Sequence, residues 1–164
     1  MPVSPCTDPL RHSDPAALSP SARLVLDAVR GWFDAGGGHG PGLCLTLARA
    51  GLPAVAVTRL AAALSLIGVS GRRGIALHAP GSAGLSRDEG QLLIALAALQ
   101  AGEPWRAQRA AAKWLPPRLV PRMIGLLAAF AAALASAGLR LPREPVDETA
   151  LPPAWPPGRP PLLH

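Results

Sequence analysis

SRDEGQLLIALAALQAG, residues 86–102, decides the fold class. Ser86 with Glu89 three positions later is a capping box, in which the Ser86 hydroxyl and the Glu89 carboxylate each satisfy a backbone N–H that a helix start leaves free. Asp88 places further negative charge where the helix dipole is positive. Leu92, Leu93, Leu96 and Leu99 then recur at helical spacing to form a buried face, and Gly102 stops the helix after Ala101.

Downstream, Pro104 opens another helix, which Pro116 and Pro117 close after Leu115. The longest helix starts between Pro117 and Pro121 and ends at Gly138. It holds seventeen uncharged residues between Arg122 and Arg140, short of the roughly 20 that a bilayer span needs, so membrane insertion is not expected. At about 100° per residue, Met123, Leu127, Phe130 and Leu134 share one face, while Gly125, Ala128, Ala132 and Ser136 share the opposite one. Bulk on one side and small side chains on the other suit a helix buried among neighbours, with close approach on the small side.

Upstream, Ser19 and Pro20 form an N-cap and first-turn pair, followed by Ala22, Val25, Leu26, Val29, Trp32 and Phe33 at helical spacing until the glycines at 36–38. Residues 54–67 form a further helix after Gly51-Leu52-Pro53. Leu43, Leu45 and Leu47 alternate as in a strand, although their composition suits a helix. Ile75, Leu77 and Ala79 alternate likewise after the Gly71-Arg72-Arg73-Gly74 turn, so one short β-hairpin can join 43–47 to 73–79.

The 164 residues include 32 Ala and 27 Leu but only four Trp, two Phe and no Tyr. Core volume must therefore come from leucines packed on alanines. The expectation is a mainly α single domain of about five helices over 19–140. It is flanked by a flexible N-terminal tail, 1–18, and a Pro-rich C-terminal tail, 141–164, with eight prolines in its 24 residues. The N-terminal stretch lacks the basic and then apolar pattern of a secretory signal, and the two cysteines, Cys6 and Cys44, build no disulfide framework. A cytoplasmic protein is expected.

Fifteen Arg and one Lys face ten acids, for a net charge of +6. Such a balance favours acidic partners. No acid lies between Asp34 and Asp88, where Arg49, Arg59, Arg72, Arg73 and Arg87 stand, and none between Glu103 and Glu144. On the helix opened by Pro104, Arg106, Arg109 and Lys113 fall within about 60° of one another, opposite Ala107, Ala110 and Trp114. This basic stripe is the candidate surface for a protein partner, a further copy of the chain included.

Residues 43–60 can also be laid on a helix-turn-helix with Gly51 at the turn. With a preceding helix and 72–79 as a wing strand, the outline resembles a winged-helix DNA-binding domain. That likeness implies nucleic-acid contacts from Arg49, Arg59, Arg72 and Arg73. It departs from the motif at Leu47, where a small residue usually sits four positions before the turn glycine.

Enzymatic chemistry is not expected. The acids stand at helix starts or in tails, with Asp88 and Glu89 accounted for by capping. Cys44 sits in an apolar Leu-Cys-Leu setting, the opposite of what activates a thiol. His12, His39, His78 and His164 are too scattered for a metal site, and the glycines at 36–42 lack the Lys-Ser or Lys-Thr of a phosphate loop, so no cofactor or metal is expected. The leading expectation is a non-enzymatic interaction or regulatory module presenting basic and apolar helix faces to a macromolecule; the alternative is DNA-binding regulation. Limited proteolysis is expected to trim the tails and leave a helical fragment, with residues 86–137 cleaved last; early cuts there would contradict the assignment of the core.

Overall fold

The computed structural model describes residues 18–37 and 41–146. Six helices follow in order: α1 (Pro20–Asp34), α2 (Pro41–Arg49), α3 (Ala54–Ser70), α4 (Arg87–Gln100), α5 (Pro104–Ala111) and α6 (Val120–Ser136), the last preceded by a 3₁₀ turn at Pro117–Leu119. The protein is mainly α, and among the described residues it contains no strand. Residues 1–17 and 147–164, which include most of both expected tails, lie outside the described residues. Residues 141–146, expected to be tail, carry buried Leu141 and Val146.

The ends of the helices follow from local chemistry. The Ser19 hydroxyl accepts the Ala22 N–H at 3.2 Å, with Pro20 in the first turn. Ser86 and Glu89 form both halves of the capping box. Gly51, at φ +85°, allows the tight turn from α2 to α3. At Gly71 the constraint is space, since a Cβ there would stand 2.3 Å from the Ile67 carbonyl oxygen.

The two segments of the expected hairpin are not strands. Leu43 and Leu47 are buried and Leu45 is 50% exposed, which is the i, i+4 pattern of a helix rather than the alternation of a strand. Residues 73–79 form no ladder, and the Ala76 and His78 N–H groups go to carboxylates on α4 instead.

Helix α4 is the axis. Eleven consecutive residues, Asp88 to Ala98, are buried, although the leucine pattern marks only one face for burial. The opposite side is built from Gly90, Ala95, Ala97 and Ala98, whose size lets neighbouring helices close over it. Helices α1, α5 and α6 pack on α4, and α3 packs along α6. Arg73 bonds to Asp88, and the Arg72 N–H to the Trp114 carbonyl, so α3 ends where α4 begins. The Gln100 amide donates to the carbonyls of Ala131 and Leu139 and accepts the Leu141 N–H at 2.8 Å. That side chain fixes the far end of α4 to the end of α6, and α3 therefore runs antiparallel to both.

On α6, Met123, Leu127, Phe130 and Leu134 are fully buried, as their spacing requires. The small face is not enclosed. Gly125, Ala132 and Ser136 are exposed and Ala128 is half-buried, because α3, α4 and α5 all approach from the bulky side. The run Pro117–Ser136 reaches 20 residues and is long and apolar enough to cross a membrane by length and composition, with 28% of its apolar window buried. A core helix passes the same test, and the buried face here serves the core.

Leu96→Ala and Phe130→Ala are each expected to lower stability by about 2–5 kcal/mol, through lost apolar burial and the cavity left behind. Chemical denaturation checks this. Gly71→Ala is expected to cost about 1–3 kcal/mol, because the added Cβ meets backbone that cannot swing aside.

Candidate functional site

The densest polar cluster lies at the start of α4. Asp88 and Glu89 are the only acids between Asp34 and Glu103, and both are buried. The Asp88 carboxylate receives the Arg73 guanidinium at 2.7 and 2.8 Å, the Ala76 N–H at 2.8 Å and the Trp114 indole N–H at 3.0 Å. The Glu89 carboxylate receives the Arg30 guanidinium at 2.7 and 2.9 Å, the Ser86 N–H at 2.7 Å and the His78 N–H at 3.0 Å. Each of the four oxygens thus accepts two bonds, which fills the capacity of both groups. Arg30 is 5% exposed and continues to the carbonyls of Ser82 and Gly84. The Ser86 hydroxyl donates to the Ala76 carbonyl.

This pair joins α1, the irregular segment 71–86, α4 and the end of α5. Alternate backbone donors of an extended segment, at Ala76 and His78, are taken by adjacent side chains on a helix instead of by a neighbouring strand. Saturated and enclosed carboxylates of this kind hold structure; no oxygen is left to receive a substrate's proton. Burial pushes the Asp88 carboxyl up, but Arg73, the Ala76 N–H and the Trp114 N–H together outweigh it and hold it below the ordinary carboxylate range. The same bond to Asp88 outweighs burial at Arg73 and raises its guanidinium. At the far end of α4, Glu103 is held low by Arg143 and then by Arg106.

Arg106 and Arg109 of α5 and Lys113 just past its end come together on one side. Arg106 leans on Glu103 at 3.3 Å and Glu144 at 3.7 Å, and Lys113 donates to the Gln91 amide oxygen at 2.6 Å. Arg109 is exposed and has no ion-pair partner among the described residues. The three line a notch of about 20 Å³ above Gln91 and Ile94. Trp105, one turn before Arg109, is 55% exposed.

Arg49, Arg59, Arg72 and Arg73 are not gathered in this way. Arg73 is committed to Asp88. Arg59 and Arg72 are thirteen residues apart along and just past α3, about 20 Å at the rise of a helix. Arg49 ends α2. Cys44 is exposed on α2 rather than enclosed by leucines. A larger hollow of about 300 Å³ lies between α1 and the 81–84 turn, lined by Arg23, Asp27, Arg30 and Ser82 among others. Among the described residues, no three His, Cys, Asp or Glu side chains are grouped to hold a metal.

Three polar groups were hidden to sequence reasoning: Arg30, Gln91 and Gln100. Each occupies an apolar helical stripe or its edge, with a partner distant in sequence. Its place at a helix start accounts for Asp88 through capping and the dipole, but not for its bonds to Arg73, Ala76 and Trp114. A signal was present, since two adjacent acids stand alone within a long arginine-containing stretch. No family model, curated protein or solved structure matches the chain.

Glu89→Ala is expected to lower stability by about 3–5 kcal/mol, since it leaves the Arg30 charge buried without a partner. Asp88→Asn tests the pH dependence. Because the folded-state value lies below the unfolded one of about 3.9, the stabilisation from Asp88 is complete above that value and is lost as pH falls through the folded-state value. Urea titrations from pH 7 to pH 2 should show a shallower acid limb in Asp88→Asn than in the wild type.

Proposed function

We propose that this protein is a non-enzymatic interaction module that holds an acidic segment of a partner protein against α5. The observation that carries this reading is the outer stripe of that helix. Trp105 and Arg109 stand exposed one turn apart on α5, which contains no acid, and Lys113 is exposed in the turn just past its end. A half-exposed indole beside two cations combines the residue types that dominate binding energy at interfaces: an aromatic anchor with low ordering cost and a guanidinium able to clasp a carboxylate. Ala107 and Ala110 fix the inner side of α5 in the core and Trp114 buries the turn after it, so the stripe is held ready on a rigid support.

Charge elsewhere supports an acidic partner. Helices α2, α3, α5 and α6 contain no acid, while Asp88, Glu89, Glu103 and Glu144 are each paired with arginine. DNA binding through a winged helix draws on the same balance, but it would need a wing strand, which 72–79 does not form, and Arg73, which Asp88 occupies. The reading includes a cytoplasmic location, which suits a free surface thiol at Cys44.

Anisotropy titrations with labelled poly-L-glutamate and with a labelled DNA duplex, at low and moderate salt, test the proposal. Poly-L-glutamate is expected to bind, with affinity falling about tenfold in Trp105→Ala and in the Arg109→Ala, Lys113→Ala pair. Arg59→Ala with Arg72→Ala should leave it nearly unchanged. Tight, sequence-selective duplex binding lost in that second pair would overturn the proposal in favour of a DNA-binding regulator.

A further inference from the structure

Between its ends the outward side of the α3–α6 pair carries one charge, Arg59 on α3, and it is uncovered among the described residues. On α3, Val55 and Val69 are 61% and 87% exposed, with Ala62 exposed between them, and on α6 Gly125, Ala129 and Ala132 are exposed. Neither helix contains an acid. Where α3 ends and α6 begins, the Arg72 N–H bonds to the Trp114 carbonyl at 2.8 Å, which brings Arg72 to the connection that carries Arg118 and leads to Arg122. All three side chains are exposed and have no ion-pair partner among the described residues.

We propose that this face docks an amphipathic helix of a partner protein. That helix presents small and aliphatic side chains along the seam and carboxylates at the end that meets Arg72, Arg118 and Arg122. Three features decide the occupant. The seam is too poor in bulky side chains for a bilayer, because alanine and glycine release little free energy on leaving water. The same small side chains let a helix backbone approach closely, and Val55 and Val69 supply the bulk that fills the partner's grooves. A second copy is disfavoured, because its own α3–α6 face brings arginine to arginine and its exposed acids without partners among the described residues, Asp27 and Asp34, lie on α1. An acidic helix complements both the shape and the charge.

The test uses the full chain and a synthetic Ala- and Leu-containing helical peptide with glutamates at one end, followed by amide chemical shifts. Shift changes are expected along α3 and α6. Affinity should fall about tenfold in Val69→Asp and in Arg118→Glu with Arg122→Glu, and should be unchanged in Trp105→Ala. Because Val69 projects into solvent, Val69→Asp leaves the fold intact, which circular dichroism checks. Equal binding of a lysine version of the peptide, shifts confined to α5, or no binding would each overturn the proposal. So would capture by phosphatidylglycerol vesicles, or a dimer in sedimentation that Val69→Asp abolishes. Failure of the α5 titrations leaves this result unaffected, since the two surfaces share no residue.

Discussion

Two adjacent carboxylates at the start of one buried helix hold the rest of the molecule in register. Asp88 and Glu89 take eight hydrogen bonds from α1, the 71–86 segment, the cap of α4 and the indole at the end of α5. Enclosing two carboxylates costs several kcal/mol each unless every oxygen is met, and here every oxygen is met twice. Such a network adds little net stability over a well-packed apolar core, but it rejects alternative arrangements, because any shift of register strands a buried charge. An Ala- and Leu-rich core has few distinctive shapes of its own, so this polar anchor supplies specificity that side-chain volume alone does not.

The surface follows from the same constraint. With Asp88 and Glu89 spent on Arg73 and Arg30, and Glu103 and Glu144 spent on Arg106 and Arg143, the exposed acids without partners among the described residues are Asp27 and Asp34 on α1. Exposed arginines occupy α2, α3, α5, α6 and the connections, with Arg23 on α1 beside the two acids there. The molecule is electrically lopsided, and its basic helices also carry the large exposed apolar side chains of the described residues: Leu45 on α2, Trp105 on α5, and Val55 and Val69 on α3. That coincidence of charge and apolar area links the packing to the proposed interactions.

Much of the architecture was legible in the sequence, since caps, proline starts and glycine stops are local signals. Ser19, Pro20, Ser86, Glu89, Pro104 and Gly138 mark ends that the structure keeps to within a few residues, and Met123, Leu127, Phe130 and Leu134 are buried as their spacing demands. The short segments were harder. Leu43, Leu45 and Leu47 satisfy two periodicities in too few residues to separate them, and tertiary contacts chose the helix. The roles of Arg30, Asp88, Gln91 and Gln100 were not legible, because each depends on a partner from 12 to 59 positions away. The small face of α6 is open, against the expectation from its spacing, for a related reason: periodicity reports which residues are small, not which neighbour arrives.

Amide hydrogen exchange at Ala76, His78 and Ser86 tests the anchoring role of the carboxylate pair most directly. These amides lie outside any helix or strand, where backbone N–H groups ordinarily exchange through small local openings. Because each donates to an enclosed carboxylate, the expected result is exchange only on global unfolding, with opening free energies matching those of Leu93 and Leu96 in α4. Exchange at the rate of an open loop, while α4 stays protected, would contradict the anchoring of 71–86 by Asp88 and Glu89.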